Sequence, residues 1–360
     1  MIRSLYVHIP FCQDICAYCD FCRAKYDRGL VDRYLEVLAE ELKIKAIDHD
    51  LLTIYIGGGT PTALNDEQLE RLLIILQPYT KIVNEYTIEI NPETLTPTKA
   101  RLLQKYHINR VSLGIQTFNP RLLQLINRHH DKKTIDQAMS LLAQVNIDNI
   151  SFDLMYGLPT QTLEDFITSI NEAFKYPIKH LSLYNLTIEE HSQFGREKLT
   201  ALNSELCDEM YFTALKLIKE HGFVQYEISN FAKEGYLSQH NLTYWHYEDF
   251  YGVGLGAAGK LDHHRYTNTT NFVKYLNGEY VAEDVINDEV GYLFELLMMG
   301  LRLKDGVILD QTDKDTLIKY FNTELTSLIN DGYLCLNDDH LKATDSGFFI
   351  LNDLLIKFLP

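Results

Sequence analysis

Basic residues are in short supply: 33 Lys and Arg face 50 Asp and Glu, giving a formal net charge of −17. The longest basic cluster is RHHDKK at 128–133, and the remaining cations are scattered. Such a field disfavours nucleic acid and anionic lipid surfaces, so neither is an expected partner. Also missing is any apolar run of the ~18 residues that a spanning helix needs, so no transmembrane segment is expected. The opening MIRSLYVHIPFC has neither an apolar signal core nor a small-residue cleavage site, and cytoplasm is the expected compartment. Outside residues 12–22 the chain has two cysteines, Cys207 and Cys335. Clustered cysteines in a reducing compartment bind metal or do redox work more often than they form disulfides.

What is present is a repeat of supersecondary units. SLYVHI (4–9), TIYIGGGTP (53–61), YTIEINPE (86–93), RVSLGIQTF (110–118), NISFDLMYGLP (149–159) and HLSLYNLTIE (180–189) each read as a strand, and helical periodicity follows each one. The strands look like short apolar runs rather than alternating ones, as in a parallel sheet buried on both faces. Six such units suit an incomplete (β/α)6 barrel or a doubly wound sheet, an α/β architecture either way. At 360 residues and 46% apolar, a main domain over 1–222 and a smaller one over 223–360 are expected, because single cores divide above about 250–300 residues. The smaller part is expected to be mainly helical, with a winged-helix-like end around DGYLCLNDDHLKAT.

The cysteine loop FCQDICAYCDFC has the spacing C-x3-C-x2-C, with Cys22 three positions on. Thiolates select zinc, copper(I) or iron–sulfur clusters. Structural zinc usually takes two separated pairs of ligands, and no second pair exists here. A single short loop can wrap a [4Fe–4S] cube, and three thiolates leave one iron without a protein ligand. Other polar or glycine residues, GGGTP (57–61), Glu89, Gln116 and Asp153, also fall just after strands, on the rim where barrel enzymes place their sites.

The loop, with Tyr18 before its third cysteine, resembles the signature of the radical S-adenosylmethionine family. The resemblance implies Cys12, Cys16 and Cys19 as ligands of a [4Fe–4S] cluster. The open iron would hold the amino and carboxylate groups of S-adenosylmethionine, and the cluster's electron would release a 5′-deoxyadenosyl radical. It further implies Tyr6, Tyr18, Gly58, Gly59, Thr60, Glu89, Gln116, Arg128 and Asp153 as contacts to that cofactor. Cys22 lies outside the motif, and His8 reads as a core histidine or a neighbour of the cluster.

Within that family the chain is most similar to the oxygen-independent coproporphyrinogen III oxidases and, among them, to the HemW branch of haem-binding chaperones. The oxidases carry C-x3-C-x2-C-x-C, with the last two cysteines one residue apart, whereas CAYCDFC has Asp20 after Cys19 and no cysteine at that spacing. They also have a long N-terminal arm, and the first strand here starts at about residue 4. HNLTYW (240–245) matches the HN-x2-YW pattern of the HemW branch. The resemblance implies haem as cargo, His240 as its axial ligand, and acceptor haemoproteins, with those of the respiratory chain as candidates. Decarboxylation of coproporphyrinogen III stands as the alternative, and radical modification of tRNA fits poorly with the charge. Monomer and homodimer both remain open. GLGAAGKL (254–261) nearly spells a phosphate-binding loop, but Leu261 stands where the magnesium-binding hydroxyl belongs.

Overall fold

The computed structural model describes residues 2–47 and 50–359. Six parallel strands, β1 (Ser4–Ile9), β2 (Thr53–Gly58), β3 (Glu85–Ile90), β4 (Arg110–Gln116), β5 (Asn149–Tyr156) and β6 (His180–Asn185), lie side by side in chain order. Helices α1 (Arg28–Ile44), α2 (Asp66–Leu76), α3 (Pro97–Lys105), α4 (Lys132–Gln144), α5 (Leu163–Ala173) and α6 (Ser204–Glu220) follow them in turn. This is the incomplete (β/α)6 barrel: the sheet remains open, with different strands at its two edges.

Those edges come from beyond residue 222. The strand β7 (Val224–Gln225) and the strand β8 (Asn230–Ala232) extend the β6 side antiparallel, and β9 (Tyr251–Val253) runs parallel to β1. The sheet therefore runs past the division expected at 222. Between them, α7 (Gln239–Trp245) folds the HNLTYW segment into a helix whose N-cap is Ser238. A three-stranded antiparallel sheet, β10 (Ala258–Leu261), β11 (His264–Asn268) and β12 (Val281–Ile286), packs next to β9. The C-terminal part is mainly helical, with α8 (Glu289–Gly300), α9 (Gln311–Asn330) and a small antiparallel sheet whose hairpin joins Leu334–Asn337 to His340–Ala343. It has its own apolar cluster around Leu293, Leu297, Leu317, Leu328 and Phe358. Among the described residues no helix is long and apolar enough to cross a membrane.

The strands alternate, contrary to the expected continuous apolar runs. Leu5, Val7 and Ile9 of β1, Ile54 and Ile56 of β2, Ile88 and Ile90 of β3, Val111, Leu113 and Ile115 of β4, and Phe152 and Leu154 of β5 join one apolar core. The residues between them point the other way: Tyr6, His8, Thr53, Tyr55, Glu85, Glu89, Arg110, Ser112, Ser151 and Asp153. Ser112 donates to Asp153 at 2.9 Å, Tyr55 to Glu89 at 2.9 Å, and Ser151 pairs with His180 at 2.7 Å. The barrel lumen is thus polar and hydrogen-bonded, which gives a bound polar molecule partners in the interior.

One buried carboxylate ties the β9 edge to the barrel. Glu41 of α1 is fully buried and accepts from Gly254 N–H at 2.8 Å, Asn268 Nδ2 at 2.6 Å and Tyr275 Oη at 2.7 Å, with Lys45 Nζ at 2.9 Å. Gly254, at φ 100°, has no room for a side chain: a Cβ there would meet the His8 carbonyl at 2.5 Å. The glycine-rich GLGAAGKL is therefore a close backbone approach that turns β9 towards β10. Glu41→Ala removes the counter-ion of Lys45 and an acceptor shared by three donors, and it is expected to lower stability by roughly 3–5 kcal/mol, read by thermal or denaturant unfolding. The exposed Glu67→Ala is the control, and equal stability of the two variants would contradict this role.

Candidate functional site

A cleft of about 470 Å³ opens where the parallel strands end. Its wall includes Cys12, Cys16, Cys19, Tyr18, Gly58, Gly59, Thr60, Glu89, Gln116, Arg128 and Asp153. The structure thereby brings together every residue expected from the cysteine loop and the strand ends except Tyr6.

The cysteine loop is pinned at its base. Ala24 N–H donates to the Pro10 carbonyl at 2.6 Å and Tyr26 N–H to the Cys12 carbonyl at 2.7 Å, closing residues 13–23 into a loop over the strand ends. Its far side is anchored by Ala17 N–H on the Ile126 carbonyl at 3.1 Å. The glycine turn packs beneath it. A Cβ at Gly59 would lie 2.9 Å from Cys12 Sγ and from the Phe11 carbonyl, and one at Gly58, at φ 113°, would lie 2.6 Å from the His8 ring. Neither position admits a side chain. Thr60 Oγ1 lies 3.9 Å from Cys12 Sγ and accepts from Asn91 Nδ2 at 3.1 Å.

Burial pushes the Cys12 thiol up to about 12 and raises the Cys19 thiol as well. Without a metal these are protonated thiols, and cluster binding must release their protons. Among the described residues no three His, Cys, Asp or Glu side chains converge on a single ion. The three thiols instead border one cavity, a donor set suited to a cube of several irons rather than to one tetrahedral zinc.

The polar wall has two kinds of group. Arg128 reaches Cys16 Sγ at 3.8 Å and donates through Nη2 to the Gly114 carbonyl, while its buried Nε has no partner. Gln116 sits at φ 63° where the β4 register shifts, a strained position of the sort that collects at ligand sites. Opposite them, Glu89 accepts from Tyr55 at 2.9 Å and from Gly58 N–H at 3.0 Å. Burial pushes its carboxyl up to about 7, and burial raises Asp153 too. Sequence reasoning missed Tyr55 and Ser112, which also line the cleft. The alternation of polar residues within β2 and β4 was the signal that could have found them.

Two expected site residues lie elsewhere. Tyr6 donates to or accepts from His8 Nδ1 at 2.9 Å and lines a different cavity. It precedes His8 by two residues on β1, about 7 Å further from the rim. His240 is fully buried, and both of its ring nitrogens are engaged: Nδ1 with Thr53 Oγ1 at 2.8 Å and Nε2 with Tyr244 Oη at 2.7 Å. Its ring stacks on Tyr55 at 5.3 Å, and burial lowers its pKa to about 3. The Glu85 carboxylate accepts from the Gln239 and His240 N–H groups at 2.9 Å each, fixing the N-terminus of α7 in this place. In this conformation the imidazole is a structural pin with no nitrogen free for iron. His8 is likewise satisfied, with Nε2 on the Cys22 carbonyl at 2.8 Å.

Sequence comparison agrees with this geometry. A family model described as the Radical SAM superfamily matches residues 6–173, and one described as the HemN C-terminal domain matches residues 291–350. A protein named heme chaperone HemW from Lactococcus lactis subsp. lactis is 37% identical over 99% of this chain and 97% of its own length. The chain belongs to the HemW family of radical SAM proteins. The Bacillus subtilis and Escherichia coli members are 35% and 32% identical, each over 99% of this chain. The solved coproporphyrinogen III oxidase HemN from Escherichia coli has the same fold, with a TM-score of 0.85 over 99% of this chain and 90% of that one, at 20% identity. Membership brings a [4Fe–4S] cluster and S-adenosylmethionine as the family's cofactors.

The Glu89 carboxyl yields a pH prediction. Its folded value of about 7 exceeds the ordinary 4.5, so the folded chain holds this proton more tightly than the unfolded chain. The resulting stabilisation is complete below the ordinary value and is lost as pH rises through about 7. Glu89→Gln, neutral throughout, is expected to abolish that part of the pH slope. Melting curves of cluster-free protein at about pH 5 and about pH 8 test this: wild type should lose more stability on going to the higher pH than the variant, and identical losses would contradict it.

Proposed function

We propose that the protein is a haem chaperone: it binds haem and passes it to acceptor haemoproteins, with a [4Fe–4S] cluster and S-adenosylmethionine held in the cleft at the strand ends. The observation that carries this reading is the match, over nearly its whole length, to proteins named heme chaperone HemW. The lack of a cysteine at the oxidases' C-x-C spacing after Cys19, where CAYCDFC continues with Asp20, supports it from the sequence side.

In the cleft, Cys12, Cys16 and Cys19 would hold three irons of the cluster and leave one without a protein ligand. Gly58, Gly59 and Thr60 line the same cleft. There the backbone of the glycine turn meets the amino end of S-adenosylmethionine, and Arg128 offers its unpartnered Nε to the carboxylate end. Glu89, Gln116 and Asp153 face the adenosine, with carboxylates suited to a ribose diol. Tyr18 packs against the apolar cluster around Ala17, Leu122 and Met155, next to the loop. When bound, the cluster supplies an electron to the sulfonium. The chain's own contribution is to hold the two cofactors together and to keep the lumen polar. Acceptors are haemoproteins, with respiratory-chain proteins as candidates, and the cytoplasm is the proposed compartment.

Anaerobically reconstituted protein incubated with haem and then with an apo-haemoprotein is expected to restore the acceptor's absorption spectrum. The same preparation given coproporphyrinogen III and S-adenosylmethionine should form no protoporphyrinogen. Steady formation of that product, without haem transfer, would reverse the assignment in favour of the oxidase.

A further inference from the structure

Glu89 lines the cleft with both carboxylate oxygens already held, Oε1 by the Tyr55 hydroxyl at 2.9 Å and Oε2 by Gly58 N–H at 3.0 Å. Tyr55 lies between Glu89 and the HNLTYW helix. Its ring stacks on His240 at 5.3 Å, with 27° between the planes, and approaches Tyr6 at 6.2 Å. Beyond that wall is a second cavity of about 420 Å³, with Tyr6, Tyr244, Trp245 and Met299 in its lining.

We infer that Tyr55 and His240 are positioning residues for the cofactor: together they hold Glu89 in the orientation that meets the ribose diol of S-adenosylmethionine. The inference rests on the reading above that Glu89 faces the adenosine. Three observations carry it. The first is space. Gly57 lacks a side chain where one would collide with the pair, since a Cβ there would lie 2.9 Å from Glu89 Oε1 and 2.9 Å from the Tyr55 ring. The end of β2 is shaped around the contact between Tyr55 and Glu89.

The second is the fixed setting of His240. Thr53 donates its single hydroxyl hydrogen to Ser4 Oγ at 2.9 Å, so at 2.8 Å it accepts from His240 Nδ1–H. Nε2 is then the acceptor for the Tyr244 hydroxyl at 2.7 Å. A single tautomer satisfies all three bonds. With both nitrogens tied, the imidazole keeps one plane, and Tyr55 rests on it. The third is what holds that plane. Tyr244 lines the second cavity, so part of its surface meets open space, and its bond to His240 substitutes for packing there. A binding carboxylate needs placement to about 0.5 Å, supplied by neighbours whose own rotamers are locked. The path from His240 through Tyr55 to Glu89 supplies it across the wall of the cleft.

The test measures S-adenosylmethionine binding to the anaerobic, cluster-loaded protein by equilibrium dialysis, with 5′-deoxyadenosine and 2′,5′-dideoxyadenosine as competitors. The second competitor lacks one hydroxyl of the diol. Wild type is compared with Tyr55→Phe and with His240→Asn, which keeps a donor for Thr53 and takes the ring away from Tyr55. Tyr55→Phe is expected to weaken binding about tenfold and His240→Asn severalfold, with iron and sulfide content unchanged. The wild-type preference for the intact diol should shrink in both. Wild-type affinity and preference in both variants would overturn the positioning role while leaving the cofactor reading intact. Weaker binding with the preference retained would also overturn it, because the effect would then not pass through Glu89. No diol preference in wild type would overturn the placement of Glu89 at the ribose, on which the inference rests.

Discussion

The site depends on a contact that works only because two residues have no side chains. The parallel register of β1 against β2 sets His8 opposite Gly57 and Ile9 opposite Gly58. The glycine turn then lies under the cysteine loop, with Gly58 against the His8 ring and Gly59 against Cys12 Sγ. A slip of one residue would exchange the lumen and core faces of the strand, carrying Tyr6 and His8 into the apolar core. The hydrogen bonds from Ala24 and Tyr26 back to the Pro10 and Cys12 carbonyls complete the loop. Register, glycine and loop closure together set where the three thiols stand, and so where an iron without a protein ligand would face.

A second constraint is the polarity of the lumen. Ionisable and hydroxyl side chains from several strands share it, and they satisfy one another: Ser112 with Asp153, Tyr55 with Glu89, Thr53 with His240. Buried polar networks of this kind are stable only when their members find partners. Several buried atoms lack a partner, Thr87 Oγ1 and Arg110 Nε among them, and two of the others border open space. Arg128 Nε beside the cysteine loop and Trp245 Nε1 beside the second cavity are both buried without partners, and each borders a space large enough for a ligand. The wall between those spaces is built from Tyr6, Tyr55, Tyr244 and His240, so the HNLTYW helix contributes a partition rather than an exposed ligand.

Much of this was legible in the sequence because it is local. The six strand–helix units, the loop spacing and the residues that end each strand follow from short-range patterns. Residues at strand ends share a rim in any parallel barrel, so Glu89, Gln116 and Asp153 fall together from the strand pattern, whereas Arg128, which follows a short helix, came only from the family resemblance. The position of His240 was not legible. It depends on Glu85, 155 residues away along the chain, capping α7, and on Thr53, 187 residues away, taking its Nδ1. Tyr6 was misplaced for a simpler reason: it faces the lumen, as expected for a neighbour of the cluster, but one pleat too deep. Membership of the sheet by β9 also escaped notice, because a three-residue strand after a long excursion leaves no periodic trace.

The central claim is that three thiolates hold a cube whose fourth iron is left for S-adenosylmethionine. Electron paramagnetic resonance of the anaerobically reconstituted, dithionite-reduced protein addresses it most directly. The account predicts a [4Fe–4S]⁺ signal that shifts on adding S-adenosylmethionine and that is absent from a Cys12→Ser/Cys16→Ser/Cys19→Ser variant. A signal indifferent to S-adenosylmethionine, or one that survives loss of the three cysteines, would contradict it.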